Sequence, residues 1–417
     1  MDRAPAALHH PSSHATRWHY PATQGGRDLR FDFLRGLAIL SLVTAHFEAF
    51  NWTNFIFWER LGVVTGAEMF VMAAGLVLGQ IFRYALDREQ GMELVAQRLL
   101  RRAFELYRAQ VGLVLIVMLI TALGLFDMTA VTTFTDRFAG KTYPLMPEPG
   151  TPWHEQLGQV LLLQRTPHQI QILSLYVMLM LASPLFVWLL KTRLLGLYFA
   201  LSWALYFAGW LSPVDYRLLD MQFEYAFPMP NWQLLYTHAL LVGFYRREIA
   251  AWLAQGQRRS IATGLCVTLA LAFFVFAQAT ANPSFPSWAR LDIMAPETFQ
   301  HLYDAYFGKN RLGLGRVLNA AVLFAALYAL LTWYWVPLNR LLGWLLIPLG
   351  EASLYVFLMH VPLLFLVDQI PGYFDGVASF ASSWPVMIWV NTALYVGIIL
   401  TLWALVRGKV LFSIIPR

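Results

Sequence analysis

Cysteine is almost absent: the single one, Cys266, stands in an apolar stretch of a 417-residue chain. A disulfide framework is therefore excluded, and thiol chemistry has no partner residue to work with. Charge is scarce too. Only 13% of residues are charged against 58% hydrophobic, and the mean hydropathy is +0.53. A soluble globular domain of this length does not carry that balance. The formal charge of +6 is not gathered into a basic patch, which argues against a nucleic-acid surface. No internal repeat is visible, so an inverted-repeat transporter has no support. Residues 1–26 lack the apolar core of a signal peptide and are rich in Pro, His, Ser and Ala. They are read as a disordered cytosolic tail ahead of a transmembrane domain at 27–417.

What is present is a series of apolar runs. They lie at 31–50, 61–86, 103–126, 170–190, 194–211, 233–249, 260–278, 314–335, 345–367 and 384–406, each near the length of about twenty residues that a spanning helix needs. The fold class is all-α, a polytopic membrane protein of about ten spans. Putting the amino terminus inside places 19 of the 30 lysines and arginines on the cytoplasmic side. Both termini then face the cytosol. The opposite loops, at 127–169, 212–232 and 279–313, are long and rich in Pro, Trp, Tyr, Phe and His. Interfacial anchoring explains single aromatics there but not the length, which points to binding.

The first run, FDFLRGLAILSLVTAHFEAF, sets an arginine and a histidine inside a spanning helix. Ionisable groups are costly in hydrocarbon and mark a site or pathway. Arg35 and His46 are eleven positions apart, which at about 100° per residue brings them onto one face and at about 1.5 Å per residue separates them by about 16 Å. One long cavity, with a charged anchor low and a titratable imidazole high, is the expectation.

Glu68, early in the second run, reaches a similar height and is placed to orient His46. His360, in LYVFLMHV, joins them as a third catalytic candidate, whereas His238 is read as a hydrogen bond that staples helices. At the cytoplasmic mouth, Arg35, Arg101, Arg102 and Arg108 suit a multiply phosphorylated ligand, because guanidinium binds phosphate through a bidentate fork. Positive-inside topology and anionic lipid account equally for Arg98, Arg101 and Arg102. Glu105 can pair with one of them. No metal ligand is assigned.

RDLRFDFLRGLAILSLVTAHF, GAEMFVMAAGLVLG, QILSLYVMLML, NWQLLYTHALLVGF, KNRLGLGRVLN and LGEASLYVFLMHV together resemble the successive signatures of OpgC-type proteins, membrane succinyltransferases of periplasmic glucans. The arginine-to-histidine spacing is similar to that of the wider membrane acyltransferase superfamily, including the acyltransferase 3 proteins. The resemblance implies a ten-helix, multi-pass protein of the bacterial inner membrane. It implies acyl-CoA, in the first place succinyl-CoA, as a co-substrate in place of any permanently bound cofactor. The partners are then acyl-CoA, a glucan or other glycan, and membrane lipid, with no nucleic acid. One departure is plain: the family commonly has an aspartate where this chain has Gln171, and a proline where it has Ser174. His168 is near enough to take the aspartate's place.

The expected mechanism follows from both lines. The phosphates rest on the arginines, His46 takes the proton of a sugar hydroxyl attacking the thioester, and Gln171, Trp232, Lys309 and Arg316 line the acceptor side. Direct transfer and an acyl-histidine intermediate both remain open. So do acetyl transfer to another surface glycan or glycolipid, a proton-coupled transporter, and a catalytically silent relative.

Overall fold

The computed structural model describes residues 18–21, 27–88, 91–136, 141–148, 150–213, 217–370 and 380–415. In chain order the longer helices are α1 (Leu29–His46), α2 (Gly66–Asp87), α3 (Met92–Leu123), α4 (Gln171–Lys191), α5 (Leu195–Leu211) and α6 (Met229–Phe244). They continue with α7 (Arg258–Gln278), α8 (Leu314–Trp333), α9 (Trp335–Glu351), α10 (Ser353–Asp368) and α11 (Phe380–Arg407). A single antiparallel hairpin, β1 (Thr133–Asp136) with β2 (Lys141–Pro144), interrupts the connection from α3 to α4. The all-α membrane reading stands.

Each apolar run coincides with a helix, but they are not ten equivalent spans. Among the described residues six helices are long and apolar enough to cross a membrane, or up to seven if α9 and α10 count as one. α1 carries three charges, Arg30, Asp32 and Arg35, while α5 and α6 are 17 and 16 residues long. The ninth run is not straight: α9 and α10 meet at 92° around Ala352. Ala352 has φ −102° and ψ +32°, outside helical geometry, and the turn re-aims the chain that carries His360.

α1 is the central element. Its Gly36 lies against the Leu346 carbonyl of α9, and Gly350 of α9 lies against the Asp32 carbonyl. A side chain at either position would force the backbones apart. The α2–α6 pair is built the same way: a Cβ on Gly75 would meet the Tyr236 carbonyl oxygen at 2.5 Å. Small residues let membrane helices approach closely, where dispersion and backbone contacts replace the hydrophobic drive that lipid does not supply.

At the Arg35 end a polar clamp closes the bundle. Asp28 caps α1 by accepting from the Arg30 N–H at 3.1 Å, and its carboxylate also takes Arg30 Nη2 at 2.8 Å, Arg246 Nη2 at 2.5 Å and the Tyr328 hydroxyl at 2.9 Å. Arg246 donates onward to Gln80 of α2 at 2.9 Å. Of the segment expected to be a disordered tail, residues 18–21 are described, and they are docked here. Tyr20 N donates to the Thr332 carbonyl at 2.8 Å, and the Arg30 guanidinium lies 4.2 Å from the Tyr20 ring centre. The rest of that expectation falls outside the described residues.

Burial alone raises the Asp28 carboxyl, but the hydrogen bonds and charges of Arg30 and Arg246 outweigh it and hold the group below the ordinary aspartate range. Stability from this clamp is therefore fully present above the unfolded value of about 3.9 and is lost as pH falls through the lower folded value. Asp28→Asn is expected to lower the melting temperature in detergent at pH 7, by about 1–2 kcal/mol in stability. Melting curves at stepwise lower pH check it: the gap from the parent protein should shrink once pH drops below about 4.

Candidate active site

His46 ends α1, and its Nδ1 lies 2.9 Å from Nε2 of His360 on α10. The ring planes differ by 18° with centroids 5.1 Å apart. His360 is completely buried, and its Nδ1 donates to the Phe357 carbonyl. A carbonyl can only accept, so that nitrogen holds the proton, and a neutral His360 then offers a lone pair at Nε2. His46 Nδ1 must be the donor. Its Nε2 is left bare, which is the state a general base needs.

A third imidazole completes the group. The His168 ring stands edge-on to that of His46, 5.9 Å away at 88°, and its Nε2 lies 3.3 Å from a Glu48 carboxylate oxygen. Glu48 follows α1 immediately in left-handed backbone at φ +59°. Non-glycine residues rarely adopt that conformation, and it turns the acid back toward the histidines. No spacing in the sequence signals Glu48, because the turn that aims it is an isolated backbone event.

The hydrogen bond expected between Glu68 and His46 is absent among the described residues. Glu68 is the third residue of α2 and closes a capping box with Thr65, accepting from the Thr65 N–H at 2.8 Å and hydroxyl at 2.5 Å. Its other oxygen takes Arg316 Nη1 at 2.9 Å. Arg316 is likewise not open to an acceptor. With no exposed surface, it donates to the Phe307 carbonyl at 2.6 Å, to Glu59 at 2.7 Å and to the Tyr303 hydroxyl at 2.9 Å. Both residues build the wall of the site by matching each other's charge.

The remaining acceptor-side candidates separate. Trp232 is fully buried and edge-on to Phe227 at 4.9 Å, so it backs the wall. Lys309 is half-buried with Nζ over Phe227 at 5.4 Å. Gln171 begins α4 just beyond His168, also buried. Ser174, standing where the resemblance implies proline, receives Gln110 Nε2 at 2.5 Å, a bond that proline could not make. His238 bonds the Leu234 carbonyl of its own helix at 2.9 Å.

At the opposite end Arg35 donates to the Ser353 hydroxyl at the bend between α9 and α10, with Asp32 at 3.8 Å. Arg102 is close enough for its charge to act on Arg35 and pairs with Glu105 at 3.0 Å. Arg101 and Arg108 are not brought to that group. They fall on the exposed stripe of α3, Arg101 paired with Glu105 at 3.3 Å and Arg108 over the Phe104 ring at 5.6 Å. The expected four-guanidinium cradle is thus two residues here, because Arg101 and Arg108, seven positions apart, turn outward together on α3. Among the described residues no group of histidine, cysteine and carboxylates is arranged to hold a metal.

The chain is an all-α bundle of apolar, membrane-type helices with paired imidazoles at one end of a central helix and a half-buried arginine at the other. A family model described as OpgC protein matches residues 27–413, and the chain belongs to that family. Membership makes it a transferase of the glucan-acylating kind in general terms. Comparison with curated proteins and with solved structures finds no match.

Removing one partner of a buried ion pair strands the other, at about 3–5 kcal/mol. Arg316→Met is therefore expected to lose folded protein outright, measured as monodisperse yield in detergent. Were Arg316 an acceptor ligand instead, the variant would fold normally and only its saturation with acceptor would change.

Proposed function

We propose that the protein transfers an acyl group, succinyl in the first instance, from cytosolic acyl-CoA to a hydroxyl of a periplasmic glucan across the bacterial inner membrane. The observation that carries this reading is the hydrogen-bond relay from the Phe357 carbonyl through His360 to His46, which leaves His46 Nε2 unprotonated at the end of the helix that also carries Arg35. The two residues are about 16 Å apart along α1. That span suits a pantetheine arm, with CoA phosphate on Arg35 and Arg102 and the thioester at His46.

His46 Nε2 accepts the proton of the sugar hydroxyl as its oxygen attacks the thioester carbonyl. The C–S bond then breaks, and the imidazolium returns the proton to the departing CoA sulfur. His360, bonded to the other nitrogen, keeps the ring oriented and shares the positive charge. Glu68 contributes by holding Arg316 and the start of α2 in place. Arg101 and Arg108, on the lipid-facing stripe, serve anionic headgroups at the membrane surface.

The test is free-thiol release by purified protein in detergent over a panel of acyl-CoAs, with and without glucans. Glucan-dependent release is expected. His46→Ala should reduce it by about 10²–10⁴-fold while leaving acyl-CoA binding intact. Near-normal turnover in that variant would remove His46 from its role, and flux of intact substrate with no thioester cleaved would indicate a transporter.

A further inference from the structure

Around the His46 end the buried arginines have partners. Arg60, next to Glu59 in the chain, is buried and donates to the Ala277 and Ala289 carbonyls. Arg316 engages both Glu59 and Glu68, so those carboxylates already have their cation. Lys309, in the short connection before α8, has no ion pair and no hydrogen bond for its ammonium among the described residues. Its contact is the face of Phe227, which Trp232 supports from behind.

This is not a loose surface lysine. The Leu312 N–H donates to the Lys309 carbonyl at 3.1 Å and the Gly313 N–H to the Gly308 carbonyl at 3.0 Å, closing the turn on itself. Gly313 packs against the Tyr306 carbonyl so closely that any side chain there would collide with it. The lysine is therefore held where its charge acts on both Glu68 and His46. Burial draws its ammonium below the ordinary lysine range, with the Glu68 field opposing and Arg316 adding to the fall. An incoming carboxylate would reverse that.

A cation partly withdrawn from water without its own counter-ion is unfavourable. Beside a reaction centre, that arrangement fits an anion that arrives with substrate. A four-carbon dicarboxylic acyl thioester carries its free carboxylate two methylenes beyond the carbonyl, within the sweep of a lysine side chain. Resting on the acyl-transfer reading, we propose that Lys309 binds the distal carboxylate of the transferred acyl group and so selects a dicarboxylic donor over acetyl.

An acidic group on the acceptor glycan is the other source of a carboxylate, and a lysine near a thioester can also stabilise the oxyanion of any donor. The experiment separates these. Full-length protein in detergent is given succinyl-CoA, acetyl-CoA and the amide-ended succinamyl-CoA, each with a neutral glucan and with an acid-substituted one. Wild type should use succinyl best and treat the amide as poorly as acetyl. Lys309→Met should lower kcat/KM for succinyl about 100-fold and leave acetyl within about threefold, with Lys309→Arg restoring most of the preference.

Equal loss with all donors, or a succinyl-to-acetyl ratio that does not move, overturns the proposal. So does a loss confined to the acidic glucan. Wild type that accepts the amide as readily as the acid overturns it without any variant, even if Lys309→Met does not fold. Absence of thiol release from wild type with every donor would instead strike the acyl-transfer reading on which it rests.

Discussion

Arg316 is the tie that the half of the molecule around His46 depends on. A guanidinium with no exposed surface can be kept charged in an apolar medium only if its donors are matched. Four groups from three places in the chain do this: Glu59 before α2, Glu68 in its first turn, and Tyr303 and the Phe307 carbonyl from the turn before α8. Because Glu68 also completes the α2 capping box, the same ion pair fixes where α2 begins. The turn that it holds leads directly into Lys309. One buried cation therefore sets a helix start, a loop and the placement of a second cation.

The opposite end follows a different rule. There the polar groups reach the surface of the bundle, and Asp28 gathers Arg30, Arg246 and Tyr328 at the rim. Such a clamp is partly solvated and worth less per bond, yet it joins α1, α8 and the end of α6. Between the two ends, α1 supplies the shared scaffold. Its glycine face admits α9 at backbone contact, and the right-angle bend after α9 then brings Ser353 to Arg35 and His360 to His46. The bend is what lets one short helix meet the chain around α10 at both of its ends.

Much of this was legible in the residues. Hydropathy located every long helix, since an apolar run in a chain of this composition has few other uses. The one-face relation of Arg35 and His46 follows from helical periodicity alone, and the six ordered signatures pointed to the family. What periodicity cannot supply is the partner across space. Glu68 looked like the orienting acid for His46 because both sit at one height, but a carboxylate in a first helical turn has a nearer claim, the exposed N–H groups of that turn. Arg108 looked deep by count along the sequence. Its azimuth on α3 matters more, and it follows the exposed stripe through Phe104. The break at Ala352 falls just past Pro348 and Gly350, boundary signals that are passed over when 345–367 is taken as one apolar run.

The acids that do reach the centre from loops share a feature. Glu48 and Glu59 both have left-handed backbone, at φ +59° and +54°. Each such residue costs about 1–2 kcal/mol, and here each turns a carboxylate inward onto a cationic or ionisable partner, His168 and Arg316 respectively. The expense is local and the benefit lies across the fold, so composition and period register neither. In the relay built on His360, orientation comes from a main-chain carbonyl in place of an acid. A neutral acceptor fixes the tautomer of two successive imidazoles without placing a permanent negative charge beside His46. An acid at that position would hold an imidazolium more firmly and make it slower to give up its proton; a carbonyl leaves the imidazole a weaker base and the return easier. For the acyl transfer we propose, in which the same nitrogen must take a proton and give it back, the second arrangement is the better matched.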